Sequence, residues 1–526
     1  MRIFIADDIA PEGVEYLAKQ TPYSIDFNPK LNPEQVCEHI RDCDAVIVRS
    51  ATSIRGPVLD AARKLKVIGR AGVGTDNIDV AAATERGIVV LNTPDANATT
   101  TAELTIAHML SLCRHLPCAD LSVRQGKWER SKFNGTEITG KSLGIIGFGT
   151  IGRIVAKRAL GLKMKVLAYD PFVTADVFSD AGVTPAALEE LLAAADIVTL
   201  HCPLMAKTRN LIDQAAIALM KPGTRLINCA RGGLVDETAL YAALKSGHLA
   251  GAALDVYENE PPKNSPLLEL NNIVFTPHLG ASTEEAQAAV GVEIAKQVAT
   301  FLNSGEAINA VNLPRIPAQL AQRLKPWQEL AHKLGRLLAL MTNTAITHLD
   351  IALLGQVAEL KTTPIAVSAL VGLLGENLSV PVNQVNAMHL AKRQGIAVAE
   401  SRSKESHDYL SLITITVRFD NDQITLAGTL FDERHPRLVR INNYPIEAPL
   451  HGNLLFTRHT DKPGVVGDIG ALLAGEEINI TTMQVGNADD MDTAVAIIGI
   501  SKLLSAVTIT KIQDLPAISK VIQVSM

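Results

Sequence analysis

The sequence is poor in aromatic residues and carries no block of charges of one sign. Aromatic residues make up 4% of the chain, while 47% hydrophobic and 20% charged residues are ordinary for a soluble globular protein. The 49 basic and 55 acidic residues give a net charge of −6, whereas a nucleic-acid surface needs a basic stripe. We therefore expect no nucleic-acid partner, and any site for an anionic ligand must be a local cluster of basic side chains.

Cysteines and long apolar runs are also scarce. The six cysteines, at positions 37, 43, 113, 118, 202 and 229, lack the paired spacing of metal ligands, so we expect free thiols in a reducing cytosol and no metal site. No stretch approaches the roughly 18 uninterrupted apolar residues that predict a transmembrane helix. The first apolar run meets Asp7 and Asp8 at once and is too short for a signal peptide. We therefore expect a cytoplasmic protein without a membrane partner.

Short apolar runs alternate with helix-like segments in two parts of the chain. The 526 residues exceed the roughly 100–200 residues of one domain, so we expect three or four domains. Apolar runs occupy 3–6, 45–48, 65–69 and 87–92, and a second alternation extends from 141 to 280. Continuous apolar strands that alternate with helices predict an α/β fold with two doubly wound parallel-sheet domains.

Segments outside these alternations predict further elements. Residues 97–116 predict one long helix, and a helix over 284–305 leads to AVNLPRIP, whose prolines mark a boundary. The block 311–450 opens with helical sequence and closes with alternating strands, which predicts an α+β unit. A final unit begins near residue 451.

Basic residues follow two strands of the first alternation. Arg49 and Ser50 come directly after the second apolar run, and Arg70 comes after the third. Ligands of parallel sheets bind at the carboxyl ends of strands, so both arginines should overlook the same crevice. The alternative is that they are solvated charges at strand ends.

The stretch GFGTIG (147–152) follows the apolar strand SLGII and opens a helix. Gly147 permits a tight turn, Gly149 lets backbone N–H groups approach a pyrophosphate, and Gly152 permits close packing of helix and strand. The next strand ends in Asp170, whose carboxylate accepts hydrogen bonds from a ribose 2′-hydroxyl and repels a 2′-phosphate. The pattern predicts an NAD site, and a glycine turn without a cofactor is the alternative.

Three strands of the second alternation end near residues that suit hydride transfer. TRLINCA leads to Arg231, AGAALDV leads to Asp255 and then Glu260, and NIVFTP leads to His278. In one parallel sheet these ends meet on the same side. His278 then exchanges the hydroxyl proton of a 2-hydroxy acid, Glu260 orients the imidazole and favours its protonated form, and Arg231 binds the substrate carboxylate.

Each of these residues also has a purely structural interpretation. His278 is then a capped histidine, Glu260 an exposed loop charge, and Asp255 a cap for the loop that follows it. Cys202 and Cys229 lie near strand ends without a neighbouring base, which indicates packing residues. The joint occurrence of all three catalytic residue types beside an NAD motif favours the catalytic interpretation.

The motifs VRSAT, GRAGVGTDNID, GFGTIG, NCARGGLVDE, AALDVYENEPP and TPHLGAST resemble those of the D-isomer-specific 2-hydroxyacid dehydrogenases. The resemblance covers essentially the whole chain and implies catalytic roles for Arg231, Glu260 and His278. It implies NAD contacts at Gly147, Gly149, Thr150, Ile151, Gly152, Asp170, Cys202, Cys229, Ala230, Asp255, Leu279, Gly280 and Ala281.

The resemblance is strongest to the long members of this family, which oxidise 3-phosphoglycerate to 3-phosphohydroxypyruvate at the entry to serine biosynthesis. It implies that Arg49, Ser50, Arg70 and Gly72 bind this substrate. It also implies four domains: a discontinuous substrate-binding domain (1–95 and 285–310), an NAD-binding Rossmann domain (96–284), an intervening domain (311–450) and an ACT domain (451–526).

ACT domains are βαββαβ units that pair and often bind amino acids where they meet. At the positions that contact serine in serine-regulated relatives, this chain has His459, Asp461 and Asn479. The aspartate departs from the histidine and two asparagines of that pattern, which leaves serine inhibition open. The resemblance further implies self-association as a homotetramer.

Two other functions remain open at this point. The same chemistry serves 2-hydroxyglutarate, glyoxylate or hydroxypyruvate, although Arg49 and Arg70 favour a phosphorylated acid. An NAD-sensing corepressor built on the same fold is the alternative from another class. The C-terminal amino-acid-binding unit argues against it, because such a unit indicates a metabolic effector.

Overall fold

The computed structural model describes residues 1–20, 22–314, 316–378, 380–406, 408–420, 422–488 and 492–526. These residues contain four β-sheets, of which two are parallel throughout. Short 3-10 segments occupy Arg130–Phe133, Pro266–Glu269 and Gln356–Glu359. Within this part of the chain, no helix combines the length and the apolar character that a membrane span requires.

The first sheet contains five parallel strands in the order β2-β1-β3-β4-β5. The strands are β1 (Arg2–Ile5), β2 (Ser24–Phe27), β3 (Ala45–Val48), β4 (Val67–Arg70) and β5 (Val89–Leu91). The connecting helices are α1 (Pro11–Ala18), α2 (Pro33–Ile40), α3 (Pro57–Ala61) and α4 (Val80–Glu85). Strand β3 is buried at every residue, as expected for a strand covered by helices on both faces.

The second sheet contains seven parallel strands in the order β12-β11-β10-β9-β6-β7-β8. The strands are β6 (Ser142–Ile146), β7 (Lys165–Tyr169), β8 (Thr184–Pro185), β9 (Ile197–Leu200), β10 (Thr224–Asn228), β11 (Leu249–Leu254) and β12 (Ile273–Phe275). The helices are α5 (Ala98–Arg114), α6 (Leu116–Arg124), α7 (Thr150–Gly161), α8 (Ala175–Asp180), α9 (Leu188–Ala194), α10 (Gln214–Leu219) and α11 (Glu237–Ser246). The strand order reverses beside β6, where ligands of such sheets bind.

The long helix α12 (Glu284–Ser304) returns to the first sheet. Its Ile294 and Val298 are fully buried and share a core with Ile3 and Leu91. A Cβ at Gly69 in β4 would lie 2.7 Å from a Val298 methyl group, so glycine there lets helix and sheet approach closely.

The third sheet is mixed, with the order β14-β13-β15-β16-β17-β18 and one parallel pair, β13 with β14. The strands are β13 (His348–Gly355), β14 (Ala397–Ser403), β15 (Ser411–Phe419), β16 (Asp422–Phe431), β17 (His435–Ile441) and β18 (Tyr444–Pro449). The helices are α13 (Ala318–Met341), α14 (Thr363–Gly375) and α15 (Ala387–Arg393). The predicted α+β character of this block is confirmed.

The fourth sheet is antiparallel, with the order β20-β21-β19-β22. Its elements are β19 (Asn453–Thr460), α16 (Val465–Gly475), β20 (Ile480–Asn487), β21 (Thr493–Ile500), α17 (Ala506–Gln513) and β22 (Ile518–Ser525). This sequence of elements is the predicted βαββαβ unit. Leu455 faces the two helices of the unit, while Leu454 and Phe456 point the other way and join the core of the third sheet.

Candidate active site

A cleft of about 700 Å³ lies at the carboxyl ends of the two parallel sheets. Its lining includes residues predicted from both halves of the N-terminal region: Arg49, Ser50, Arg70, Gly72, Arg231, Glu260, His278 and Ala281. Residues 49 and 278 are far apart in sequence, and the strand-end rule brings them together because both sheets point their carboxyl ends into one cleft.

His278 and Glu260 form a hydrogen-bonded pair in this cleft. Nδ1 of His278 lies 2.8 Å from Oε2 of Glu260, and the Tyr257 backbone N–H donates to Oε1 at 3.2 Å. The hydrogen bond with Glu260 raises the pKa of His278 against the lowering effect of burial. Burial alone would raise the pKa of Glu260, but its hydrogen bond with His278 and the charge of that ring lower it. The pair therefore favours an imidazolium beside a carboxylate.

Asp255 holds the backbone that carries His278. It is fully buried at the end of β11, and its carboxylate accepts hydrogen bonds from the N–H groups of Leu279 (2.7 Å) and Gly280 (2.9 Å). The His278 N–H donates to the Asp255 carbonyl oxygen at 3.0 Å, and His278 has a positive φ of 54°. Because few residues other than glycine adopt this conformation without support, the hydrogen bonds of Asp255 fix where the imidazole points.

Arg231 follows β10 at the lip of the cleft. Asn228 closes the turn: its Nδ2 donates to the Arg231 carbonyl oxygen at 2.9 Å, and its Oδ1 accepts from the Ala230 N–H at 3.0 Å. A Cβ at Gly232 would lie 1.8 Å from the Tyr257 carbonyl oxygen, so only glycine lets the two loops touch. The guanidinium pairs with Asp76 of the first unit, with 3.5 Å between Nε and Oδ2. This ion pair crosses the cleft.

Arg70 contributes a second guanidinium to the cleft. It ends β4, and its Nη1 donates to the Ala71 carbonyl oxygen at 2.8 Å. Its Nε is buried and has no hydrogen-bond partner among the described residues. Burial, together with the charges of Arg231 and Arg49, lowers the pKa of Arg70 to about 10. Three arginines therefore converge on one cleft, which favours a ligand with more than one negative charge.

Gly72 makes room for Arg70. Its φ is +140°, and a Cβ at this position would lie 1.6 Å from Nη1 of Arg70. Arg49 follows the neighbouring strand β3, where its backbone N–H donates to Oδ2 of Asp7 at 2.6 Å and its Nη1 donates to the Asp8 carbonyl oxygen at 3.2 Å. The buried Asp7 thus fixes the start of the Arg49 loop.

The GFGTIG turn fits a dinucleotide. Gly147 has a φ of +97°, and a Cβ there would lie 2.6 Å from the His201 carbonyl group. A Cβ at Gly152 would lie 2.2 Å from the Gly147 carbonyl oxygen, whereas one at Gly149 would meet no atom within 4 Å. Open space therefore lies beside Gly149 at the N-terminus of the twelve-residue helix α7, where backbone N–H groups and the helix dipole favour a pyrophosphate.

Asp170 stands beside this turn at the end of β7. It accepts hydrogen bonds from the backbone N–H groups of Phe148 (2.8 Å) and Phe172 (3.0 Å), and its side chain is partly exposed. Each carboxylate oxygen accepts one bond and can accept another. Thr150 donates its hydroxyl to Oδ1 of Asp95 at 3.0 Å.

Cys202 and Cys229, two of the predicted NAD contacts, follow strands β9 and β10. Burial raises the pKa of Cys202 to about 11 and that of Cys229 to about 12, so both are thiols rather than thiolates. Burial also lowers the pKa of His201 to about 3, and Nδ1 of this ring has no partner among the described residues. In the same part of the chain, no group of three or more His, Cys, Asp and Glu residues is arranged to hold a metal ion.

Several residues that support the site were missed in the sequence. Thr101 and His108 of α5 reach the loop that carries His278: the Thr101 hydroxyl donates to the Gly280 carbonyl oxygen at 2.7 Å, and Nε2 of His108 lies 2.9 Å from the Thr276 hydroxyl. Asp76 was missed as the partner of Arg231. The available signal was the spacing of polar residues 101, 105 and 108, which places them on the same face of the helix as the apolar Met109 and Leu112.

The three C-terminal candidates lie at two ends of the fourth sheet: His459 and Asp461 at the end where β19 stops, and Asn479 at the opposite end, where β20 starts. His459 is buried in β19, and burial lowers its pKa. Oδ2 of Asp461 accepts a hydrogen bond from Nδ2 of Asn487 at 2.8 Å. Asn479 is exposed just before β20, and its backbone N–H donates to the Ser501 hydroxyl at 3.1 Å.

Two family descriptions match the chain. Residues 106–280 match "D-isomer specific 2-hydroxyacid dehydrogenase, NAD binding domain", and this range contains the glycine turn and the histidine–glutamate pair. Residues 323–442 match "D-3-phosphoglycerate dehydrogenase intervening domain".

Relatives that match this chain over nearly their full length are named D-3-phosphoglycerate dehydrogenase. The chain is 40% identical to the D-3-phosphoglycerate dehydrogenase of Methanocaldococcus jannaschii over 100% of both chains. It is 37% identical to the Bacillus subtilis protein of the same name, over 99% of this chain and 98% of the relative. Among solved structures, a glyoxylate reductase from Paecilomyes thermophila is similar, with a TM-score of 0.55 and 32% identity over 59% of this chain and 98% of the other.

These likenesses agree with the geometry. The glycine turn, the histidine–glutamate pair and Arg231 lie within the matched nucleotide-binding domain. Full-length identity of 40% extends the likeness to all four sheets. The chain is an NAD-dependent 2-hydroxyacid dehydrogenase, and it belongs to the D-3-phosphoglycerate dehydrogenase family.

Proposed function

We propose that the chain oxidises 3-phospho-D-glycerate to 3-phosphohydroxypyruvate with NAD, the first step of L-serine biosynthesis. The choice of this substrate rests on the cluster of Arg49, Arg70 and Arg231 around the His278–Glu260 pair in one cleft. A 2-hydroxy acid with one carboxylate needs one guanidinium, whereas a phosphorylated acid uses the additional positive charges. The names of full-length relatives support the same substrate.

His278 acts as the general base of the oxidation. Its Nδ1 is committed to Glu260 at 2.8 Å, so Nε2 is the nitrogen that receives the hydroxyl proton of the substrate. Glu260 stabilises the imidazolium that results, and the raised pKa of His278 agrees with this role. Bound NAD supplies the acceptor for the hydride. In the reverse direction, protonated His278 returns the proton to the carbonyl oxygen.

Arg231 binds the substrate carboxylate in place of Asp76. The ion pair between Arg231 and Asp76 is long, at 3.5 Å, and Asp76 is 76% exposed. Because an exposed pair of this kind contributes about 0–1 kcal/mol, a carboxylate that forms two parallel hydrogen bonds displaces it readily. The guanidinium then also stabilises the charge that develops on the carbonyl oxygen.

Arg49, Ser50, Arg70 and Gly72 form the proposed phosphate subsite. The unpartnered Nε of Arg70 and the lowered pKa of its guanidinium support this role, because a phosphate supplies the missing acceptor and relieves the repulsion among the arginines. Gly72 leaves the space that this guanidinium needs.

The proposed cofactor contacts surround the glycine turn. Gly147, Gly149 and Gly152 bring backbone N–H groups to the pyrophosphate, and Asp170 accepts hydrogen bonds from the adenosine ribose. The remaining proposed contacts are Thr150, Ile151, Cys202, Cys229, Ala230, Asp255, Leu279, Gly280 and Ala281. The exposure of Leu279 and the position of Ala281 in the lining of the cleft support the inclusion of these two residues.

The domain boundaries, location and assembly belong to the same proposal. Residues 1–95 with 285–310 form the substrate-binding domain, 96–284 the Rossmann domain, 311–450 the intervening domain and 451–526 the ACT domain. The enzyme works in the cytoplasm as a homotetramer. Exposed apolar side chains after α5 support self-association, above all Trp128, which is 80% exposed. In the described part of the chain β22 pairs with β19 alone, which supports pairing of ACT domains at this edge.

An amino-acid effector, with L-serine as the first candidate, binds where two ACT domains meet, at His459 and Asp461 of one copy and Asn479 of the paired copy. Asp461 is exposed and its carboxylate can accept hydrogen bonds from an ammonium group. The hydrogen bond from Asn487 to Asp461 supports a polar pocket at this end of the sheet. Binding would be measured as the change in turnover when L-serine is added.

Steady-state NADH fluorescence tests the reaction with 3-phosphoglycerate, 2-hydroxyglutarate and, in reverse, glyoxylate. We expect 3-phosphoglycerate to have the highest kcat/KM; equal turnover of 2-hydroxyglutarate would refute the proposed substrate. The His278→Ala variant should bind NAD normally and lose at least about a hundredfold in kcat. Near-normal kcat in this variant would remove His278 from proton transfer.

A further inference from the structure

A buried row of polar side chains on α5 lies under the loop that carries His278. Thr101, Thr105 and His108 are all buried, and their spacing places them on one face of the helix. Thr101 donates to the Gly280 carbonyl oxygen at 2.7 Å, and His108 meets the Thr276 hydroxyl through Nε2 at 2.9 Å. Neither Thr101 nor His108 is among the residues that line the cleft. Whether Nε2 of His108 donates to Thr276 or accepts from it depends on which ring nitrogen carries the proton.

The hydrogen bonds around Asp255 fix the direction of donation. Oδ1 of Asp255 accepts the Leu279 N–H and lies 2.5 Å from the Thr276 hydroxyl oxygen, while Oδ2 accepts the Gly280 N–H. Because both carboxylate oxygens already receive backbone N–H groups, Thr276 donates its single hydroxyl proton to Asp255. The Thr276 oxygen must then accept from Nε2 of His108.

His108 therefore carries its proton on Nε2. Burial lowers the pKa of His108, so the ring is neutral near pH 7 and has one N–H group to donate. The chain of donors runs from His108 through Thr276 to Asp255. At its end, Asp255 receives the two backbone N–H groups that follow His278.

A second clamp holds the same loop through its backbone. The Tyr257 hydroxyl lies 2.8 Å from the Thr276 carbonyl oxygen and 3.1 Å from the Leu254 carbonyl oxygen. Thr276 is thus bound through its hydroxyl by His108 and Asp255, and through its carbonyl by Tyr257. These contacts fix Thr276, two positions before His278. The backbone of His278 has a φ of +54° and needs such support.

We propose that His108 is a positioning residue of the dehydrogenase: its Nε2–H group donates to Thr276, commits the Thr276 hydroxyl to Asp255, and thereby holds the His278 imidazole against Glu260 in the cleft. The inference rests on the proposed role of His278 in proton transfer. His108 itself does not touch substrate or cofactor. Its effect reaches the reaction only through the placement of His278.

Matched pairs of variants separate the hydrogen bond from the packing. His108→Leu removes the donor and keeps an apolar side chain of similar size, whereas His108→Gln can present an amide N–H near the position of Nε2. Thr276→Val removes the hydroxyl without changing the shape, and Thr276→Ser keeps it. We expect His108→Leu and Thr276→Val to lower kcat by about tenfold to a hundredfold, since small misplacements of a catalytic group have effects of this size. The KM values for substrate and NAD should change less than about threefold.

The conservative variants and the pH profile identify the cause. His108→Gln and Thr276→Ser should retain most of the wild-type kcat. The charged groups that face His278 are Glu260 and Asp255, which raise its pKa, and Arg231, which lowers it. A His278 ring that moves away from Glu260 loses the largest of the raising effects, so the acid limb of kcat/KM should move to lower pH in His108→Leu. A loss of stability alone does not move this limb.

Three outcomes overturn the inference. Wild-type kcat in His108→Leu would show that the donor is dispensable, and equal losses in His108→Leu and His108→Gln would show that the ring's shape matters and not its N–H group. If His108→Leu does not fold, equal kcat values in Thr276→Val and Thr276→Ser overturn it instead. His278→Ala separates the two proposals: an inactive His278→Ala with a normal His108→Leu refutes the positioning role alone, whereas an active His278→Ala refutes proton transfer by His278.

Discussion

Replacement of Arg70 by methionine should stabilise the free enzyme while it damages recognition of the phosphorylated substrate. The pKa of Arg70 is lowered from an ordinary value of 12.5 to about 10 by burial and by the charges of Arg231 and Arg49. At about 1.4 kcal/mol per pKa unit, the folded protein disfavours the guanidinium cation by about 3 kcal/mol. The cation is the disfavoured form, so this penalty is present at every pH below about 10 and disappears only as the arginine loses its proton at higher pH.

Part of this gain is lost with the contacts of the side chain. The hydrogen bond from Nη1 to the Ala71 carbonyl oxygen contributes about 1 kcal/mol, which leaves a net stabilisation of about 2 kcal/mol in Arg70→Met. For a cooperative unit of about 150–250 residues, a stabilisation of about 2 kcal/mol raises the unfolding midpoint by about 4–8 °C. Thermal unfolding must be measured in a buffer free of phosphate and sulfate, because either anion would occupy the cleft and stabilise the wild type.

The kinetic effect should have the opposite sign. Loss of a buried charged partner costs about 2–5 kcal/mol, so the KM for 3-phosphoglycerate should rise at least about thirtyfold while the KM for glyoxylate changes little. Arg49→Met is the matched control: its guanidinium makes an exposed contact with the Asp8 carbonyl oxygen, so the KM should rise without a gain in stability. A lower unfolding midpoint in Arg70→Met, or equal effects on both substrates, would refute the reasoning.

Two further predictions concern the other side of the cleft. In Glu260→Gln, the acid limb of kcat/KM for oxidation should move to lower pH, because His278 must be neutral to accept a proton and glutamine no longer favours the imidazolium; an unmoved limb would contradict the pair. In Gly232→Ala, the new Cβ would lie 1.8 Å from the Tyr257 carbonyl oxygen, so kcat/KM should fall at least about tenfold as the loops separate. Gly161→Ala, where a Cβ would meet no atom within 4 Å, should behave as wild type, and equal activity of the two variants would show that the loops need not touch.

The parallel sheets and the composition of the cleft could be predicted from the sequence because they depend on local patterns. Each apolar run is a strand, and the residue after each run must lie at the carboxyl edge of a sheet. This rule alone placed Arg49, Arg70, Arg231 and His278 near a common crevice, and the structure brings them into one cleft. The functional roles of these residues stay predictions.

The supports of the site could not be predicted because their partners are distant in sequence. His108 and Thr276 are 168 positions apart, and no periodicity relates them. The cross-cleft pair of Asp76 and Arg231 likewise depends on how two sheets face each other. Asp255 was open to two interpretations in the sequence; the structure shows that it binds the backbone after His278, which is the capping role, while a contact with the cofactor stays a proposal.

The core shared by the third and fourth sheets determines how the chain can be divided. Leu454 and Phe456 of β19 pack with the third unit, and Arg336 and Lys520 add hydrogen bonds to the Ser525 and Met341 carbonyl oxygens across the same junction. A chain cut before β19 would leave an apolar surface of the third unit in water, where it favours aggregation. The C-terminal unit is therefore not a detachable module, and the proposed effector site is better tested by point substitution than by truncation.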